Sequence, residues 1–318
     1  MKKIVALVGL SLIAVSHSFS QVNVTLNNVN IEPNFIGLRL PFFSLKFAPS
    51  NSTFFADFGG KAKFGGFMLN ANYRIDYLNG LEEEMFTAEE PTADSKFSYK
   101  ASKEFALMAG YMFLQKETST QVTFGLKSSG KTKYVTKVPS KKTTFLMVDL
   151  GFKKGFTWVH CADKKLKFDA VTQPEGFTPP DPSKVRTMMD YSMLQFGISG
   201  GSMGFYDAQI EGYGRRTSKF FNRYYFDMLI LLGSSVDPIY NKNTIGPNQS
   251  VTVYTQYELN NSPRSRVGFC LGAEMLNIRK FGIEGGVEAA YIPGIKGNFK
   301  SNFALTIRTN LALDMLLN

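Results

Sequence analysis

The sequence predicts an all-β chain: a single transmembrane antiparallel up-and-down β-barrel of about fourteen strands. Three observations predict it. Apolar and polar residues alternate with a period of two nearly everywhere. Many of the alternating segments run ten residues or more, longer than the strands of an ordinary sandwich, and short turns join them. After the first twenty residues no segment is apolar for the length a membrane helix needs, Phe226–Leu232 being broken by Asp227. A membrane chain without such helices satisfies its backbone groups only as a closed barrel.

The chain opens with Met1-Lys2-Lys3, an apolar run from Ile4 to Val15, and the small-x-small triplet Ser18-Phe19-Ser20. That is the pattern of a secretory signal peptide, so residues 1–20 are set aside and export is expected. No cysteine follows the apolar run, which argues against a lipid anchor. Residues 21–34 are expected to form an N-terminal periplasmic segment or plug, and 35–318 the barrel. The formal charge is +10, with no Arg/Lys cluster along the sequence. Together with export, that gives no reason to expect nucleic acid as a partner. Two cysteines, Cys161 and Cys270, do not make a disulfide framework and are expected as separate thiols.

The strands can be read in order. Phe67, Leu69, Ala71, Tyr73, Ile75 and Tyr77 share one face, with Asn70, Asn72, Arg74 and Asp76 on the other. Phe105 to Phe113, Val122 to Leu126, Val267 to Met275, Phe281 to Tyr291 and Phe303 to Leu311 repeat the pattern. Candidate strands lie at 35–47, 53–58, 61–78, 96–114, 119–128, 131–138, 143–158, 186–200, 203–216, 220–234, 249–260, 263–277, 280–292 and 298–314. Twelve is the alternative count, should 53–58 and 131–138 not be strands. An even count brings both termini to one side. The acidic 79–95 and Pro-rich 159–185 segments are expected as long outer loops, and 235–248 as an unusually long connection on the opposite side.

The Ser20-Gln21 boundary, the missing anchor cysteine and the amphipathic strands running to the C-terminus resemble the outer-membrane β-barrel proteins of Gram-negative bacteria, particularly the Bacteroidota type. The resemblance covers the whole mature chain and carries no functional residue. It implies localisation in the cell outer membrane. Its implied partners are membrane lipid and lipopolysaccharide, the barrel assembly machinery and other envelope proteins. One departure is the C-terminus, Met315-Leu316-Leu317-Asn318, where such barrels often end in an aromatic.

Several motifs that look like chemistry lack the context the chemistry needs. Gly125-Leu126-Lys127-Ser128-Ser129-Gly130-Lys131-Thr132 matches a phosphate-binding loop, but β-branched and aromatic residues follow where a helix must start. It reads as a hairpin turn. Gly197-Ile198-Ser199-Gly200-Gly201 matches a nucleophile elbow without the following helix or a later histidine, and reads as a glycine-rich turn. His160 beside Cys161 has no second ligand pair, so neither a metal nor a cofactor is expected. No acid, base and nucleophile set marks an enzyme.

The candidate site is a lumenal patch of Glu274, Glu284, Glu288 and Arg308. Strand parity puts all four on the polar face. Turns near Ile278 and Lys296 would set Glu274 and Arg308 on either side of Glu284. The patch serves either as a wall network that fills the barrel or as a polar constriction that selects small solutes. Two functions follow. The first is a transport pore for small or amphipathic solutes. The alternative is a non-conducting barrel serving as a subunit of an envelope secretion or assembly machine.

Overall fold

The computed structural model describes residues 24–26, 34–48, 52–79, 101–129, 132–160, 167–170, 186–212, 214–237, 239–245, 251–260, 265–278, 280–294 and 302–317. Ten of its strands close into one antiparallel barrel: β2 (Asn34–Phe47), β3 (Thr53–Phe64), β4 (Phe67–Asn79), β5 (Lys103–Ser129), β6 (Thr132–His160), β8 (Arg186–Ile210), β9 (Gly214–Val236), β12 (Val267–Asn277), β13 (Gly282–Tyr291) and β14 (Phe303–Leu317). Each pairs with the next in chain order, and β14 pairs with β2 to close the ring. The topology is therefore up-and-down, with no crossover. Outside the ring, β1 (Val24–Leu26) pairs with residues 208–210 of β8. A separate three-stranded sheet is formed by β7 (Lys167–Ala170), β10 (Ile239–Ile245) and β11 (Val251–Asn260).

The count of fourteen is thus corrected to ten. Three expected pairs of segments are single long strands. The 119–128 segment and 96–114 from Lys103 onward lie in β5, 143–158 and 131–138 from Thr132 onward in β6, and 186–200 with most of 203–216 in β8. The 249–260 segment is β11, outside the barrel. The physical reason is local. Register shifts at Met112/Leu114 and Gly125/Lys127 in β5 break the alternation without ending the strand. In β8 the glycines that read as a turn keep neighbours close: a Cβ on Gly201 would lie 2.0 Å from the Asn222 carbonyl oxygen. The elbow-like sequence therefore runs straight through as strand. The phosphate-loop-like sequence spans the β5–β6 hairpin, Ser129 pairing with Thr132. His160 ends β6 opposite Arg186, and Cys161 lies outside the described residues.

Strand direction fixes the two ends. The start of β2, the end of β14, the Gly65-Gly66 turn and the β5–β6, β8–β9 and β12–β13 hairpins share one end, called here the terminus end. Gly65 has φ +54°, the left-handed conformation a two-residue hairpin turn favours. The β2–β3, β4–β5, β6–β8, β9–β12 and β13–β14 connections leave the other, loop end. The 235–248 segment therefore falls on the same side as 79–95 and 159–185, not opposite them. Most of those two segments lies outside the described residues.

The barrel is inside-out relative to a soluble domain. Phe67, Leu69, Tyr73 and Tyr77 of β4, Phe105, Leu107, Tyr111 and Phe113 of β5, and Ile283 and Val287 of β13 are exposed on the outer face. Charged Arg39, Asp57, Lys61, Asp149, Arg223, Asp227, Glu274 and Glu284 are buried in the lumen. Along β4 the outer face runs from Phe67 to Tyr77, a rise of ~33 Å along the strand and ~25 Å after a tilt of about 40°. Aromatic pairs sit toward its rims, Phe67 against Tyr111 at 4.9 Å and Phe43 against Phe54 at 5.9 Å between ring centroids.

Candidate functional site

The lumen is filled by side chains from its own wall, in layers. Near the terminus end, Phe35, Met68, Met112, Phe145, Met147, Met203, Phe221, Leu276, Ile278 and Ala312 pack into one buried apolar cluster. Phe145 and Phe221 stack at 5.4 Å between centroids. Methionine, unbranched and flexible, fills the irregular gaps left between strands of fixed tilt. Toward the loop end a second cluster, including Met189, Met193, Leu229, Leu231 and Ala290, lines the β8–β9–β12–β13 side.

Between these layers runs a connected ionic network. Asp314 accepts a hydrogen bond from Arg39 at 2.8 Å, and Arg39 donates to Glu284. Lys61 bridges Glu284 and Glu274 at 3.2 and 3.1 Å. Glu274 also meets Arg308 at 3.1 Å and Arg223 at 3.4 Å, and Arg223 continues to Asp149 at 2.8 Å. From Arg308 the path passes to Asp57 and Arg74, each step 3.9 Å, then to Glu104 at 3.6 Å. Tyr191 donates its hydroxyl to Glu104. Every one of the ten barrel strands contributes at least one of these groups.

Burial explains why so many charges meet. Removing one ion from water costs several kcal/mol, and only well-placed partners offset it. Glu274 faces three cations and Glu284 two, while Lys61 serves both. A cavity of about 40 Å³ lies beside the network, lined in part by Asp57, Asn72, Arg74, Gln195, Asp227 and Arg308. That is room for a few waters, at roughly 10–15 Å³ of such space for each. Both Asp57 carboxylate oxygens and Asp227 Oδ1 lack a protein hydrogen-bond partner there, so water suits them.

All four residues of the expected patch point into the lumen, but not in the expected register. Glu284 lies opposite Leu276 and Asn310, and Glu274 and Arg308 both lie opposite Gly286. Each turn is centred one residue later than the sequence implied, which slides the partner by two and preserves the face. Arg308 therefore pairs with Glu274, and Glu284 takes Arg39 and Lys61 instead. Glu288 accepts a hydrogen bond from Tyr225 at 2.8 Å and lies in the field of Lys153, Arg74 and Arg308. The residues sequence reasoning missed as site members include Arg39, Lys61, Arg223 and Asp314, with Asp57, Arg74, Glu104, Asp149 and Tyr191 further along the network. For some the signal was present in the alternation: Arg39 lies between Leu38 and Leu40, and Asp314 between Leu313 and Met315.

Among the described residues, no group of three His, Cys, Asp or Glu side chains could hold a metal ion. Cys270 is a buried free thiol at the edge of the loop-end cluster. The searches against family models and curated proteins find no match for this chain.

Proposed function

We propose that this chain is an outer-membrane barrel that does not conduct, and that it serves as an anchoring subunit of a larger envelope assembly. The observation that carries the reading is the lumen. A network of ion pairs and hydrogen bonds reaching all ten strands, backed by a buried apolar layer, fills much of the space a solute would need. Ten strands enclose a smaller lumen than the expected fourteen, so wall side chains suffice to fill it. The largely apolar outer face, about 25 Å tall with aromatic rims, supports the membrane setting. The signal-peptide pattern of residues 1–20 supports export.

The test is reconstitution into liposomes loaded with a small fluorescent solute. Folded barrel is expected to leave the solute inside. Release proportional to the amount of barrel inserted would favour the transport reading of the same fold.

A further inference from the structure

The barrel body ends well before β5 and β6 do. The ladder between β4 and β5 ends at Phe67 opposite Tyr111, with one further hydrogen bond from Met112 to Gly66. From Leu114 to Ser129, β5 pairs with β6 alone. The β6–β8 ladder ends at Lys141 opposite Phe205, so Thr132–Ser140 of β6 also has only one ladder. The result is a β5–β6 ribbon projecting ~50 Å along the strand from the terminus end, at about 3.3 Å per residue: its base, where Lys116, Lys141 and Lys142 lie, keeps β8 as a third strand, and its outer part, Thr120–Ser129 with Thr132–Ser140, is two-stranded over ~33 Å.

Two independent features mark the ribbon. It is strongly basic: Lys116, Lys127, Lys133, Lys137, Lys141 and Lys142 lie in its strands, against the single acid Glu117. Lys116, Lys137 and Lys141 are exposed. It also carries a long edge without a ladder, since no described residue pairs with β5 on its other side beyond Met112. A two-stranded ribbon alone is marginal in water, and three strands are the usual minimum. This end of the molecule already takes an added strand, because β1 occupies the edge of β8 that β6 leaves. Pro139 in β6 lacks an N–H and makes that edge the poorer template, which leaves β5.

We infer that the β5–β6 ribbon is a docking arm that takes an acidic, extended segment of a partner protein as a third strand on that edge of β5. Backbone groups without a ladder along the edge call for a peptide, and the lysines call for carboxylates. The inference goes beyond the closed-barrel reading, and the two fail separately. Solute release tests the lumen, and peptide binding tests the ribbon.

The experiment uses the full-length barrel in detergent and a fluorescent peptide of alternating glutamate and valine, read by anisotropy. Controls are the same peptide N-methylated at alternate amides, and anionic phosphatidylglycerol vesicles. The peptide is expected to bind, and to weaken as salt rises to about 0.15 M, where the screening length shrinks to about 8 Å. The triple variant K116E/K137E/K141E is expected to weaken binding by about tenfold or more, as loss of charge complementarity does. The N-methylated peptide is expected not to bind. Absence of peptide binding overturns the inference. So does equal binding of the N-methylated peptide or the vesicles, which would make the ribbon a general polyanion surface. Should the triple variant fail to fold, K137Q in an otherwise unchanged barrel keeps the charge test, and unaltered affinity and salt dependence there counts against it.

Discussion

The barrel body and the β5–β6 ribbon carry the same kinds of charged residue and use them in opposite ways. In the body the charges point inward, are buried, and are tied to one another: Lys61 sits between Glu274 and Glu284. In the ribbon Lys116, Lys137 and Lys141 are exposed, and the ion pair of Lys141 with Glu117 at 3.0 Å is half exposed. Environment sets what each is worth. A buried pair is costly to break because one uncompensated charge remains. An exposed pair contributes little, because water and salt screen it. The body is thus electrostatically locked, and the ribbon is electrostatically available.

The sharpest way to break this contrast is to remove a charge from each region. Glu274→Ala leaves Lys61, Arg223 and Arg308 short of a partner and is expected to cost ~3–5 kcal/mol. Urea unfolding in lipid vesicles, followed by the fluorescence of the single Trp158, measures it. A loss below ~1 kcal/mol would mean that the network is not load sharing in the way its geometry implies. Met147→Ala in the terminus-end cluster is expected to cost ~2–5 kcal/mol by leaving a cavity. The outer face comes next. Leu107→Arg, mid-belt on β5, is expected to cost ~2–4 kcal/mol, and Phe113→Arg at the rim ~0–1 kcal/mol, because a charge facing lipid is penalised by depth. Equal, small costs at both positions would sink the membrane reading of that face. Smallest is Lys141→Ala in the ribbon, expected at ~0.2–1 kcal/mol and vanishing in high salt.

The sequence was a good guide to which way side chains point and a poor guide to how many strands there are. Alternation is a local property, so the inward set including Glu274, Glu284, Glu288 and Arg308 could be read directly. A two-residue error in register left that set intact, because faces repeat every second residue. Strand count is not local in this way. Glu117–Thr120 and Gly200–Ser202 have the composition of turns, yet both lie inside continuous strands. Tertiary pairing keeps them extended. Nor could the sequence say which inward charges meet across the lumen. Arg39 and Glu284 are 245 residues apart, and only closure of β14 on β2 brings them together.

The central claim is that the lumen is shut by its own side chains, and single-channel recording in a planar bilayer tests it most directly. The wild-type barrel is expected to be silent. Current steps are expected once Met147→Gly and Lys61→Ala together thin the apolar layer and unlock the network above it. Clear, reproducible steps from the folded wild-type protein would contradict the claim.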